Sequence, residues 1–405
     1  ADAGVVISAS HNPCEYNGIK FFNSDGYKLS DGIENEIESY ILGEKAIEEL
    51  PTHGKVGYVS ANHNAVEDYV AFAVSTIDCR LDGMKIAVDC ANGASYETAF
   101  KALNKLGANV EAIHNTPDGV NINHMCGSTH MESLQAYVTS IGADIGIAFD
   151  GDADRMLAVD ENGKLIDGDQ IMAACAKFMR DNGTLKQNTL VATVMSNLGL
   201  FMAGEKIGIN IPRTKVGDRY VLEEMLAKGY NIGGEQSGHI IFLDHNTTGD
   251  GLVSALQFLS VLKKTGMKAS EAASIVTVMP QVLRNAVVKL ENKNSYMENE
   301  EIAAACKALE DEFAGEGRVL IRPSGTEPLV RVMIEGKDEE YITKKAIAEN
   351  ANSMILLADH SKFGRISLMT YSPIEKLDAI VTAQPLPEEY DTFCQEHGIR
   401  VMTTD

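Results

Sequence analysis

A chain of 405 residues, 44% of them apolar, is long enough for roughly two to four domains, each with its own core. Its net charge of −23 works against nucleic acid and anionic membrane as partners, because the field of the whole molecule repels both. No run approaches the roughly 18 consecutive apolar residues of a membrane span, and seven scattered cysteines without a Cys-x-x-Cys pair fit reduced thiols in the cytoplasm.

The opening Ala1-Asp2-Ala3-Gly4-Val5-Val6-Ile7 lacks the basic start and apolar length of a signal peptide. It reads as a strand already under way, so the chain is expected to begin inside a domain. Ser8-Ala9-Ser10-His11-Asn12-Pro13 and Asn17-Gly18 then mark turns, which presents Ser10 and His11 on a tight loop directly after a strand. Residues 31–42 have helical spacing with Asp31 as the candidate cap, and a helix follows over 66–75. Next come a buried strand at 85–90, a helix ending near 106, a strand at 109–113, a helix at 131–141, and strands at 145–149 and 156–159. A second series has a helix at 170–180, strand 189–194, helix 198–207, strand 209–211, loop 214–219 and helix 220–228. A glycine-rich loop at 232–239, the apolar run 240–243 and a long apolar helix at 250–264 complete it. Strands alternating with helices imply βαβ units and an α/β fold with mixed, largely parallel sheets. Near Met279-Pro280 the pattern changes to strand 282–290, helix 298–313, strand 318–321, a Gly/Pro/Ser/Thr loop and strand 329–334, a compact α+β unit.

Phe149-Asp150-Gly151-Asp152-Ala153-Asp154-Arg155 gathers three carboxylates on one loop between apolar strands. Their repulsion is tolerable around a cation, and oxygen-only ligands favour Mg²⁺ over Ca²⁺ or Mn²⁺. Asp-Gly turns alone would explain one carboxylate but not three. An EF-hand would use Asp150, Asp152, Asp154 and Glu161, but Arg155 stands where that loop needs glycine. A dehalogenase-like phosphatase would use Asp150 and Asp152 as nucleophile and acid, with Asp154 standing where that family usually has Thr or Val.

Ser10 is the candidate nucleophile, with His11 and Lys20 nearby to move a proton and neutralise phosphate oxygens. A plain Asn-Pro turn and a surface lysine are the alternatives. Arg322-Pro323-Ser324-Gly325-Thr326-Glu327-Pro328, with Arg331 beyond, fits a phosphate clamp of backbone N–H groups, hydroxyls and guanidiniums, or else a simple strand connection with two surface arginines. Gly234-Glu235-Gln236-Ser237-Gly238-His239 offers mixed donors and acceptors for a polyol, although a lone histidine such as His239 is more often structural.

These four strings, in this order, resemble the signature loops of the α-D-phosphohexomutases over residues 1 to about 346. Within that family the loop at 234–239, together with Asn121-Ile122-Asn123, Cys126-Gly127-Ser128-Thr129-His130 and His245-Asn246-Thr247-Thr248-Gly249-Asp250-Gly251, is similar to the bacterial phosphoglucosamine mutase subgroup. The resemblance implies mutase domains at 1–62, 63–166, 167–279 and 280–348, the last α+β and TBP-like. It implies a phosphoserine at Ser10 that completes a Mg²⁺ site of Asp150, Asp152 and Asp154, and passes its phosphoryl group to glucosamine 6-phosphate. The 1,6-bisphosphate so formed turns over and leaves glucosamine 1-phosphate, feeding UDP-N-acetylglucosamine and cell-wall synthesis. Glucosamine or glucose 1,6-bisphosphate would be the activator. Glu235, Ser237, Gly217 and Asp218 would bind the sugar; Arg322, Ser324, Gly325, Thr326 and Arg331 would hold the idle phosphate. His11, Lys20, Arg155 and His239 are the acid–base and charge-stabilising candidates. The expected partners are a phosphorylated hexosamine and a second copy of the chain in a homodimer. Phosphomannomutase or phosphoglucomutase activity is the nearest alternative.

Two departures from the family pattern stand out. The family begins with roughly eighty to ninety further residues, so part of the first sheet is expected to be missing, with an exposed edge and reduced activity. From about residue 349 to 405 the pattern changes. There Met354-Ile355-Leu356-Leu357-Ala358-Asp359-His360-Ser361-Lys362-Phe363 resembles the C-terminal end of DeoR-family sugar-responsive repressors. A join is expected between 346 and 352, and a sugar-phosphate sensor without enzymatic activity is the reading this tail favours.

Overall fold

The computed structural model describes residues 1–47, 50–288, 300–313, 317–323, 329–337, 355–357 and 374–403. The chain divides into two compact units, Ala1–Thr277 and Val278–Asp405.

The first unit starts with an antiparallel ribbon, β1 (Ala3–Ser8) and β2 (Gly18–Asn23), whose register pairs Ser8 with Gly18 and Val6 with Lys20. The ribbon carries the 9–17 loop at its tip. Helix α1 (Asp31–Ile41) buries no residue. Its cap position is Ser30 rather than the expected Asp31, and Asp31 instead pairs with Arg219. Helix α2 (Ala65–Ser75) turns Val70 and Ala73 into the core.

The central sheet runs β4 (Asn109–Ile113), β3 (Lys85–Asp89), β5 (Ile145–Phe149), β6 (Met156–Asp160), β7 (Leu165–Ile166). It is parallel from β4 to β5 and antiparallel from β5 to β7. Helices α3 (Ser95–Lys105) and α4 (Glu132–Ile141) make the crossovers. Because β5 and β6 are buried at every position, they read as continuous apolar runs, and the tight link between them is the carboxylate loop. Each fully buried Ile or Phe here stabilises the fold by roughly 1.5–3 kcal/mol relative to its exposed state.

A capping box at Asp167 and Gln170 starts α5 (Gly168–Asp181). The second sheet runs β11 (Ile240–Phe242), β10 (Ile232–Gly234), β8 (Val191–Thr193), β9 (Arg213–Thr214). Its first pairing is antiparallel and the others are parallel. Helices α6 (Leu198–Ile207), α7 (Asp218–Lys228), α8 (Gly251–Thr265) and α9 (Ala269–Ala273) complete the unit. The expected strand at 209–211 is replaced by a single bridge from Asn210 to Thr189, and the pairing resumes after Pro212. Ile211 packs instead against Gly204 of α6, where a Cβ would lie 2.6 Å from its Cδ1.

In the second unit β12 (Gln281–Val287), β14 (Leu329–Gly336) and β13 (Gly317–Pro323) form an antiparallel sheet in that order, with α10 (Glu300–Phe313) before β13. A separate parallel sheet joins β15 (Ile355–Leu357), β16 (Ala379–Thr382) and β17 (Arg400–Thr403), with α11 (Glu388–Glu396) crossing from β16 to β17. Among the described residues, no helix is long and apolar enough to cross a membrane.

Candidate active site

The carboxylate loop is shaped by its own backbone. Asp150 Oδ1 accepts from the Arg155 N–H at 3.1 Å, and Ala153 takes a left-handed φ of 58° that reverses the chain. One oxygen from each of Asp150, Asp152 and Asp154 lies within 4.8 Å of the others. Asp150 Oδ2, Asp152 Oδ1 and Asp154 Oδ1 are buried and accept no hydrogen bond. Arg155 Nε approaches Asp154 Oδ1 at 3.9 Å and Asp150 Oδ2 at 4.0 Å, too far to bond either. Three buried oxygens without donors, one per residue, are what a hard divalent cation would coordinate.

The electrostatics agree. Burial, then the charges of Asp154 and Asp152, pushes the Asp150 carboxyl up to about 8. Burial would also raise Asp154, but His239, Lys20 and Arg155 hold it well below the usual carboxylate range. For Lys20, burial works downward, and the bond to Asp152 with the charges of Asp154 and Asp152 raises its pKa. Its Nζ donates to Asp152 Oδ2 at 2.6 Å and reaches Asp154 Oδ2 at 3.4 Å.

The 9–17 loop is docked directly on the carboxylates. The Gly151 N–H donates to the Ser10 carbonyl at 3.1 Å, and Ser10 sits at a φ of 53°, uncommon for a residue other than glycine. The Ser10 hydroxyl is 3.4 Å from His11 Nδ1. Burial, then the charge of Arg155, lowers the His11 pKa, which leaves the ring neutral near pH 7 and able to take a proton.

The glycine-rich hairpin between β10 and β11 meets the same place. The Met156 N–H donates to the Gly238 carbonyl at 3.0 Å, and a Cβ on Gly238 (φ 90°) would lie 2.3 Å from Met156 O. His239 is 4% exposed. Its Nε2 lies 3.2 Å from the Gly249 N, and its Nδ1 lies 3.6 Å from Asp154 Oδ2. Glu235 Oε1 accepts from the Gly217 N–H at 3.0 Å, while Ser237 is exposed at the tip of the turn. Asp218 receives a bond from Lys28 and lies 3.7 Å from His239 Nε2. A cleft of about 430 Å³ opens beside Lys20, Lys28, Asp152, Asp154 and Asp218.

Ser10, His11, Lys20, Asp150, Asp152, Asp154, Arg155, Gly217, Asp218, Glu235 and His239 are thus linked by contacts within the first unit. Arg322 and Arg331 belong to the second unit, directly opposite each other on β13 and β14. Burial, then the Arg331 charge, lowers the Arg322 pKa. Ser324, Gly325 and Thr326 lie outside the described residues. Lys28, Gly249 and Asn123 were not legible as site residues. Each reaches the site from a distant stretch, and the strings at 121–123 and 245–251, which include Asn123 and Gly249, marked a subgroup resemblance and not a site role.

A second cluster, Asp89, His114 and Cys126, also lies within 4.8 Å. Its Asp89 already accepts from the Ala91 and Gly127 N–H groups and pairs with His114 Nδ1 at 2.9 Å, so it is a satisfied support for the loops above β3.

Comparison with known proteins gives matches in both units. Domain I of phosphoglucomutase/phosphomannomutase matches residues 1–48, alpha/beta/alpha domain II 66–163, domain III 167–279 and the C-terminal domain 286–352. The DeoR C terminal sensor domain matches 328–384, overlapping the last of these. The phosphoglucosamine mutase of Ruminiclostridium cellulolyticum is 62% identical over 346 residues, 85% of this chain and 77% of that protein. That of Acetivibrio thermocellus is 61% identical over 347 residues, 86% of this chain and 77% of that protein. Among solved structures, Aspergillus fumigatus N-acetylphosphoglucosamine mutase in complex with GlcNAc-6P and magnesium aligns at a TM-score of 0.66 and 19% identity, covering 84% of this chain and 86% of that one. A phosphoglucomutase/phosphomannomutase family protein from Burkholderia thailandensis aligns at 0.67 and 22%, covering 87% and 78%.

Proposed function

This chain belongs to the phosphoglucomutase/phosphomannomutase family, and on that premise we propose that it interconverts glucosamine 6-phosphate and glucosamine 1-phosphate through a phosphoserine at Ser10. The observation that carries the reading is the bond from Gly151 N–H to the Ser10 carbonyl, which seats the serine loop on the carboxylate loop. Asp150, Asp152 and Asp154 would hold Mg²⁺. The ion's role when bound is to draw charge from the phosphoryl oxygens.

In the forward step a sugar hydroxyl attacks the phosphorus, the bond to Ser10 Oγ breaks, and the sugar's proton leaves to a base. His11, neutral and beside Ser10 Oγ, is placed to exchange that proton. Lys20 and Arg155 face the developing negative charge, and His239 keeps Asp154 ionised and oriented. The bisphosphate turns over and returns its other phosphoryl group to Ser10. Glu235, Ser237, Gly217 and Asp218 offer the mixed donors and acceptors that sugar hydroxyls need in both orientations. Arg322 and Arg331, with Ser324, Gly325 and Thr326, would clamp the idle phosphate. Glucosamine or glucose 1,6-bisphosphate would prime the serine. The division into mutase domains at 1–62, 63–166, 167–279 and 280–348, followed by a distinct 349–405, belongs to the same reading, as does a cytoplasmic location. The names of the 62% and 61% identical relatives support glucosamine over glucose or mannose.

The test is a side-by-side assay of glucosamine 6-, glucose 6- and mannose 6-phosphate with Mg²⁺ and a sugar bisphosphate, on the parent and Ser10→Ala. Turnover should favour the glucosamine ester and fall at least about a thousandfold in the variant. Undiminished turnover by Ser10→Ala sinks the proposal. The match of 328–384 to a sensor domain supports a second reading for that segment alone, a sugar-phosphate binding role. Calorimetry with glucosamine 6-phosphate on the Asp152→Asn chain would separate the two.

A further inference from the structure

We infer that Asn123 is a positioning residue for phosphoryl transfer, holding the Ser10 loop against the carboxylate loop; this rests on Ser10 being the phosphoryl carrier. Its Nδ2 donates to two backbone carbonyls of the serine loop, Ser10 O and Asn12 O, each at 2.8 Å. Two carbonyl oxygens facing one side-chain nitrogen fix the amide's orientation, because its oxygen could bond neither. Asn123 Oδ1, by contrast, is buried with no donor, so the residue is held here for its N–H groups.

The Ser10 carbonyl therefore receives two donors, Asn123 Nδ2 and the Gly151 N–H. Their closeness dictates glycine at 151: a Cβ there would lie 2.5 Å from Ser10 O and 2.7 Å from Asn123 Nδ2. The anchor behind Asn123 is rigid. Its N–H donates to Ala91 O at 2.9 Å, and Ala91 in turn donates to Asp89 at the end of β3. Asn123 is 5% exposed and adopts a φ of 58°, a left-handed conformation that Asn tolerates better than most residues.

The serine needs such a tie. Ser10 itself is in a left-handed conformation that its surroundings must enforce. A misplacement of about 1 Å costs about a hundredfold in rate.

The experiment compares the full chain with Asn123→Asp, Asn123→Ala and Asn123→Ser, using glucosamine 6-phosphate with Mg²⁺ and glucose 1,6-bisphosphate. Asn123→Asp keeps the volume and the left-handed tolerance but loses both donors; Asn123→Ala removes the amide without adding charge; Asn123→Ser restores one donor. Rates are expressed per mole of folded protein, taken from each variant's calorimetric unfolding enthalpy, which removes any loss of folded material. The expected result is kcat lower by about a hundredfold in Asp and Ala, a smaller loss in Ser, and KM within about threefold throughout. If all three keep kcat within twofold of the parent, or if KM carries the whole loss, the inference is overturned and the Ser10 reading stands. A parent without turnover or phosphoserine overturns both.

Discussion

Asp150 is the residue on which the proposed cation site turns. Burial and two neighbouring carboxylates raise it from 3.8 to about 8, so the folded protein binds a proton there that the unfolded chain does not. The sign follows from linkage: a raised folded pKa lends stability at low pH that is lost as pH climbs from 3.8 to about 8. Without divalent cation the parent should melt several degrees below Asp150→Asn at pH 8 and level with it at pH 4, by calorimetry. Mg²⁺ should close the gap at pH 8 by stabilising the parent and leave the variant unmoved. The three aspartates, Ser10 and the 234–239 string were legible because each is a local string whose chemistry is visible without a fold. Asn123 was not, because its partners lie 113 and 111 positions away and only the fold supplies them.

Helices and strands with regular burial were readable at the scale of single elements. Helix α6 falls on 198–207, as its spacing predicts, and β5 is the buried run it reads as. The misreadings have specific causes. Ile209 and Ile211 look like a strand, but they pack against α6 while Pro212 defers the pairing to Arg213 and Thr214. Asp31 looks like a cap, but Ser30 holds that position and Asp31 pairs with Arg219 instead. The hairpin between β10 and β11 is an element whose docking can be tested. Gly238 has a φ of 90° and faces Met156 O across a gap that admits no side chain. Gly238→Ala should lower the melting midpoint by several degrees and kcat/KM by at least about tenfold, because His239 and Glu235 would shift with the turn. Differential scanning calorimetry beside the steady-state assay reads both effects.

Across the whole molecule, a net charge of −23 must be reconciled with the anionic substrate we propose, and the proposal assigns its phosphates to Lys20 and Arg155 in the first unit and Arg322 and Arg331 in the second. The division of the chain beside Thr277 and Val278 lies next to Met279-Pro280, where the spacing of apolar residues changes. The C-terminal sheet of β15, β16 and β17 is parallel, unlike the antiparallel sheet of β12, β14 and β13, and the match to a different family takes in β15 and β16 together with β14. That match begins at 328, earlier than the change at about 349 that the residue strings indicate. The central claim is that phosphate travels on Ser10 and not on an aspartate of the cation loop. The most direct test is to incubate the full chain with glucose 1,6-bisphosphate and Mg²⁺, quench in acid, and map the phosphate by mass spectrometry. The account predicts an acid-stable phosphate on the peptide containing Ser10, at close to one per chain. An acid-labile phosphate on Asp150, with none on Ser10, would contradict it.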